Sequence, residues 1–177
     1  MGFYEAKEKG KAAERRAEEY LKRKNLYFLD IRENPRFQKH DIDYIANGYG
    51  AVEVKSNWQK ALKGKPGRFF WIELSITSNG GERPGWFYFS KADWHFFFGA
   101  CGNGVLIRND RRFKAWAECL MANGDHSAQG LNRYDYKNDL WFGKHPVTAK
   151  NMRIYREQLY DAPGVEYKTI AKRRKRG

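Results

Sequence analysis

HDIDYIANGYGAVEVKS, residues 40–56, is the stretch on which a reading of this chain turns. It spells two short strands joined by a glycine-rich turn at Asn47-Gly48-Tyr49-Gly50, with Ala51 to Lys55 as the second strand. Side chains alternate across a strand, so Val52 and Val54 share one face, and Glu53 and Lys55 share the other. Asp41 and Asp43 lie just across the hairpin, where carboxylates beside an ammonium can hold a divalent cation and put a base or a charge next to it. An exposed ion pair at a strand edge has the same spelling and is worth little. Register therefore matters. A plain two- or four-residue loop would put Asp43 on the wrong face, whereas a three-residue loop pairing Ala46 with Gly50, or a bulge, brings Asp43 opposite Glu53. Asp43 and Asp41 lie on the same face of one strand, and strand periodicity alone does not choose between them.

Upstream, residues 5–24 read as a helix without proline, with Gly10, Ala13, Glu14, Ala17, Tyr20 and Leu21 at i, i+3, i+4, i+7 spacing. At about 100° per residue, Glu14 lies only about 20° from Leu21, at the edge of the stripe that packs on a sheet. A charge there needs a partner. Glu18 and Glu19 turn further towards solvent, so Glu14 is the helix carboxylate singled out.

The order Lys9-Gly10-Lys11-Ala12-Ala13-Glu14, then Asp41-Ile42-Asp43, then Glu53-Val54-Lys55 resembles the PD-(D/E)XK nuclease superfamily, and most of all its small Holliday-junction-resolvase-like endonucleases. The likeness covers roughly residues 6 to 58, and it departs from the family in having no proline before the aspartate. It implies an α/β fold with a restriction-endonuclease-like core, a mixed central β-sheet flanked by helices. It also implies a Mg²⁺-dependent endodeoxyribonuclease, with Mn²⁺ as a substitute, acting on DNA and selective for branched structures. Within it, Glu14, Asp43, Glu53 and Lys55 would be catalytic, with Asp43 ranked ahead of Asp41. Asp43, Glu53 and the backbone carbonyl of Val54 would ligate the metal. Two alternatives accompany this expectation: a non-cleaving nucleic-acid-binding protein that keeps the nuclease fold, and a nuclease acting on RNA.

Composition points the same way. The formal net charge is +13, from 34 Lys and Arg against 21 Asp and Glu, so a polyanionic partner is expected. Nucleic acid fits better than a membrane surface, because no basic helix carries a broad apolar face. Two basic segments are candidates for phosphate contact: the loop Asn57 to Arg68, with Lys60, Lys63, Lys65 and Arg68, and the tail with Lys172, Arg173, Arg174, Lys175 and Arg176. The 177 residues and 41% hydrophobic content suit one domain, expected over residues 1–165, followed by a basic tail over 166–177. A homodimer is an allowed state, although the sequence marks no dimer surface. Two cysteines make no disulfide framework, and the N-terminal residues carry no apolar signal core, so a cytoplasmic location is expected.

Further along, Leu26 to Ile31, Phe69 to Thr77, Trp94 to Phe98 and Val105 to Arg108 are expected strands. Arg32 to Lys39, Ser78 to Gly85 and the polar stretch Asp125 to His145 are expected loops. Ser90 to Asp93 reads as a capping box. Asn109 or Asp110 caps a helix, and a last helix is expected from Thr148 to about Tyr160. Glu73 and Ser75 would extend the polar face of the site in a minor way. The four histidines are scattered without ligand spacing, His95 among them, and no phosphate-binding GxxxxGK[ST] loop occurs.

Overall fold

The computed structural model describes residues 3–56, 69–78, 81–98, 103–122, 132–137 and 146–169. In chain order these form α1 (Phe3–Arg23), β1 (Phe28–Asp30), α2 (Pro35–Gln38), β2 (Tyr44–Ala46), β3 (Gly50–Ser56), β4 (Phe69–Ser78), β5 (Gly81–Pro84), α3 (Trp86–Phe89), β6 (Trp94–Phe98), β7 (Asn103–Arg108), α4 (Arg111–Ala122), β8 (Asn132–Lys137), β9 (Pro146–Tyr155), α5 (Arg156–Leu159) and β10 (Val165–Thr169). The fold is mixed α/β, with a mixed central sheet flanked by helices.

Two compact units share the chain. The first comprises residues 1–67, 92–110 and 164–177, the second 68–91 and 111–163. The domain expected over 1–165 takes in residues of both units, and the stretch expected as a tail from residue 166 begins inside a strand, because β10 pairs with β7 from Val165↔Ile107 to Thr169↔Asn103. Among the described residues no helix is long and apolar enough to cross a membrane.

The first unit is built on a sheet of order β1-β2-β3-β6-β7-β10. Every neighbouring pair is antiparallel except β3 and β6, which run parallel from Val52↔Trp94 to Ser56↔Phe98. Helix α1 lies on one face of this sheet. Its Ala13, Ala17, Tyr20 and Leu21 are buried against Tyr44, Ala46, Val52, Val54, Phe96, Phe98 and Leu106. The two alanines allow close approach of helix and sheet, and each fully buried valine or leucine contributes on the order of 1.5–3 kcal/mol. Tyr20 and Tyr49 share a hydroxyl hydrogen bond of 2.6 Å. Tyr49 also packs edge-on against Trp94 and Phe96, at 5.3 and 5.0 Å between ring centroids. The turn between β2 and β3 is therefore pinned to the core.

That turn is the three-residue loop Asn47-Gly48-Tyr49, closed by the pair Ala46↔Gly50, one of the two registers that bring Asp43 towards Glu53. Gly48 and Gly50 both have positive φ, 79° and 75°. Asp93, read from the sequence as part of a capping box, instead ties the starts of β3 and β6. Its carboxylate accepts from the Ala51 amide at 2.8 Å, and its own amide donates to the Ala51 carbonyl at 2.7 Å.

The second unit holds an antiparallel sheet of order β5-β4-β9-β8 with α3, α4 and α5. Several expectations are corrected here. The helix expected from Thr148 is mostly strand β9, because Met152 and Ile154 alternate inward and β4 offers a ten-residue partner. Long-range pairing overrides the weak helical propensity. The expected loops at Ser78 to Gly85 and Asp125 to His145 contain β5 and β8, held by ladders to β4 and β9. In the first unit, Pro35 opens the short helix α2 rather than a loop, with Asn34 capping it by accepting from the Arg36 amide at 3.0 Å. Ser90 ends the unforeseen helix α3.

Gly50 yields a direct test. A Cβ there would run into the Asp93 carboxylate and would sit at positive φ, so Gly50→Ala should lose on the order of 1–3 kcal/mol. Gly48→Ala, which meets open space, should lose less. Urea denaturation of both variants checks the ranking.

Candidate functional site

The burial of Val52 and Val54 under α1 turns Ala51, Glu53 and Lys55 to the opposite face of β3. Glu53 is only 8% exposed. Lys55 places its Nζ 2.6 Å from Glu53 Oε1 and 3.6 Å from Asp41 Oδ2. Asp43 enters from β2: its amide donates to the Val52 carbonyl at 2.8 Å, and its Oδ2 accepts from the Val54 amide at 2.7 Å. Asp43 and Glu53 are close enough to influence each other's ionisation. Asp41, just before them, has φ 53°, a left-handed conformation that Asp tolerates better than most residues.

Burial raises the pKa of both Asp43 and Glu53; the charge of Glu14 adds to the rise at Asp43, and the charges of Asp43 and Asp41 add to it at Glu53. Lys55 works in the other direction, holding Glu53 and Asp43 towards the ionised form. A second cation close to both carboxylates would have the same effect.

Glu14 reaches the same place from α1. A cavity of about 940 Å³ is lined by the carboxylates Glu14, Glu18, Glu33, Glu53, Asp30, Asp41 and Asp43, by the cations Lys11, Arg15 and Arg32, and by Gly10, Gln38 and Ile42. In a chain of net charge +13, the cavity thus has more carboxylates than cations. Arg32 is its central cation. Its guanidinium lies 2.5 Å from Glu14 Oε2 and 3.0 Å from Glu18 Oε1, bonds Asp30 through Nε at 2.9 Å, and stands 5.1 Å from the centre of the Tyr44 ring. Tyr44 in turn donates to Glu18 at 3.1 Å.

Of the residues named from the sequence, Glu14, Asp43 and Glu53 line one cavity, and Lys55 is bonded to two of its acids. Val54 offers its backbone here while its side chain stays in the core. Lys60, Lys63, Lys65, Arg68 and Lys172, Arg173, Arg174, Lys175 and Arg176 lie outside the described residues. Glu73 and Ser75 do not belong to the β3 face: β4 is in the other sheet, where Glu73 accepts from the Trp86 amide at 3.3 Å and Ser75 bonds Glu82.

Two residues were missed. Arg32 looked like one charge among many in a basic loop, and its pairing with α1 is a long-range contact that no local pattern announces. His95 is 1% exposed and pairs in register with Glu53 on the parallel strand β6. Its signal was the unbroken run Trp94 to Phe98, a strand buried on both faces, where a side chain on either face has to pack.

Among the described residues, no group of three or more His, Cys, Asp or Glu is assembled closely enough to hold a metal ion. The donor chemistry nonetheless fits a hard cation, since Mg²⁺ is commonly bound through one or two carboxylates with the remainder of its shell from water and substrate. Asp43 and Glu53 supply those carboxylates.

The raised pKa values predict a pH dependence. A carboxyl whose folded pKa lies above its unfolded value stabilises the fold only while it keeps its proton. Without divalent metal, stability should fall as pH climbs from the ordinary carboxylate range, about 4, through the raised folded values. Glu53→Gln should flatten this fall, and added Mg²⁺ should reverse part of it in the wild type by binding the folded state. Thermal melts from about pH 4 to about pH 9, in EDTA and in Mg²⁺, measure both effects. A wild-type profile identical to that of Glu53→Gln would mean that Glu53 does not titrate as described.

Compared with protein-family models, with curated proteins and with solved structures, the chain matches none.

Proposed function

We propose that this protein is a Mg²⁺-dependent endonuclease that hydrolyses DNA phosphodiester bonds on a restriction-endonuclease-like core. The observation that carries the reading is the buried Glu53 beside the half-buried Asp43, with the Lys55 ammonium 2.6 Å from Glu53 and a cavity that Glu14 also lines. The order of these residues along the chain, and the basic charge that would gather a polyanion, support it.

In phosphodiester hydrolysis a water oxygen attacks phosphorus, the bond to the leaving oxygen breaks, and negative charge builds on the non-bridging oxygens. A Mg²⁺ held by Asp43, Glu53 and the Val54 carbonyl would supply Lewis-acid stabilisation of that charge. Lys55 is suited to orienting the water and to offsetting the same charge with its ammonium. The Asp43 carboxylate keeps its orientation through the Val54 amide, so it meets an incoming group without first searching for a rotamer. Glu14, held by Arg32, is a further acceptor in the cavity for a water or a second cation.

Supercoiled, linear, single-stranded and four-way-junction DNA, together with an RNA strand, incubated with Mg²⁺, Mn²⁺ or EDTA, test the reading. Cleavage of at least one DNA form is expected with metal and none with EDTA. Lys55→Ala and Glu53→Gln should slow cleavage by about 10²-fold or more while the protein still binds the substrate. Glu14→Gln, nearly isosteric, should slow it and alter the Mg²⁺ dependence. Wild-type rates in the Lys55 variant would remove the site assignment, and cleavage of RNA alone would replace the substrate.

A further inference from the structure

We propose that Tyr88 and Phe89, with Lys91 and Lys114 beside them, form a stacking platform for unpaired bases of a nucleic-acid strand. The inference rests on the reading of a nucleic-acid partner but not on cleavage, and it concerns the second unit alone.

The four consecutive aromatic residues of α3 divide by face. Trp86 and Phe87 are buried, while Tyr88 and Phe89 are 46% and 45% exposed. The inner rings form a rigid base: Phe87 meets Phe113 of α4 at 6.3 Å, and Phe113 meets Trp116 at 5.6 Å. Tyr88 stands edge-on to Phe87 at 4.8 Å, so the exposed ring is braced from behind and loses little freedom when a base lies on it. Two large rings facing water from adjacent positions have no folding rationale, because their neighbours already anchor the helix.

The charges beside them are those of a strand-binding surface. Lys114 holds its Nζ 5.9 Å from the Phe87 ring centre. Burial, together with the charge of Lys91, lowers its pKa, so the two ammoniums are close enough to repel. A phosphate between or beside them would relieve that repulsion. Arg111 and Arg112 are exposed in the first turn of α4, the helix of Lys114, and that turn carries no acid. Further along α4 the charge of Glu118 acts on both Tyr88 and Lys114. Aromatic faces next to cations suit single strands, because every base has a face to stack and every nucleotide a phosphate to pair. A duplex keeps its bases stacked on each other and offers only the phosphates.

Fluorescence anisotropy with labelled oligothymidylate and with a duplex of equal length, in EDTA, tests this on the full chain. Tyr88→Ala and Phe89→Ala should each weaken binding to the single strand by about 5- to 150-fold, the range for loss of one stacked base, and change duplex binding by less than about twofold. Tyr88→Phe, which keeps the ring, should bind as the wild type does. Lys114→Gln should make the slope of log K against log salt shallower by about 0.7 on the single strand if it meets one phosphate. Several results would overturn the proposal: unchanged single-strand affinity in both alanine variants, an equal loss on the duplex, or a Tyr88→Phe variant as weak as Tyr88→Ala. Tyr88→Ala that abolishes self-association in sedimentation while leaving oligonucleotide affinity intact would assign the surface to a second copy and reject the platform. A wild type that binds neither probe defeats both this proposal and the nucleic-acid reading. Ring-dependent binding without cleavage in Mg²⁺ keeps the platform and defeats only the nuclease.

Discussion

Everything in the first unit hangs on the period of two along β3. Val52 and Val54 must lie under α1, because they complete the apolar layer with Ala13, Ala17 and Leu21. Glu53 and Lys55 then have no choice of face. The strand is also internal to the sheet, with β2 on one side and β6 on the other, so its polar face cannot drain into open solvent as an edge strand's would. A carboxylate is left 8% exposed, and a fold tolerates that only when something compensates the charge. Lys55 does so in part. The raised pKa of Glu53 says that the compensation is incomplete.

The hairpin shows how much of this was legible in the residues. The alternation in Ala51 to Lys55 assigned the faces, and the glycines at 48 and 50 allowed the one loop length that turns Asp43 towards Glu53. Helix α1 was legible too, since an amphipathic period over a long segment needs no tertiary information. Strand β9 was not. Its residues Thr148 to Tyr155 have no strong preference of their own and become a strand through pairing with β4, far away in sequence. The same holds for β5, β8 and β10, each made by a partner rather than by its own residues. At the site the boundary falls in the same way: Asp43, Glu53 and Lys55 could be read locally, whereas Arg32 and His95 acquire their positions only through the neighbours that the fold brings to them.

Arg32 alters the electrostatics as well as the inventory. Glu14, Glu18 and Asp30 come from two different elements and would repel one another without it. One guanidinium cannot neutralise three carboxylates, but its several N–H donors reach all three at once while its cation lies over the Tyr44 ring. Removing the guanidinium would therefore scatter Glu14 along with its neighbours, which makes Arg32 a positioning residue for whatever Glu14 does.

The charge of the cavity and the charge of the chain also constrain each other. A polyanion is drawn to a protein of net charge +13, yet the cavity it would reach is walled by carboxylates in excess of cations. A phosphate brought there alone would meet repulsion from the ionised acids of the cavity that Lys55 and Arg32, already engaged with Asp41, Glu53, Glu14 and Glu18, cannot cancel, and at the pH where Asp43 and Glu53 lose their protons the repulsion grows. A divalent cation removes the conflict, since it satisfies the buried carboxylates and offers its remaining positions to phosphate oxygens. Under the proposed function, a metal between them reconciles long-range attraction with local repulsion, and the same cation that would make the site receptive would also make it reactive.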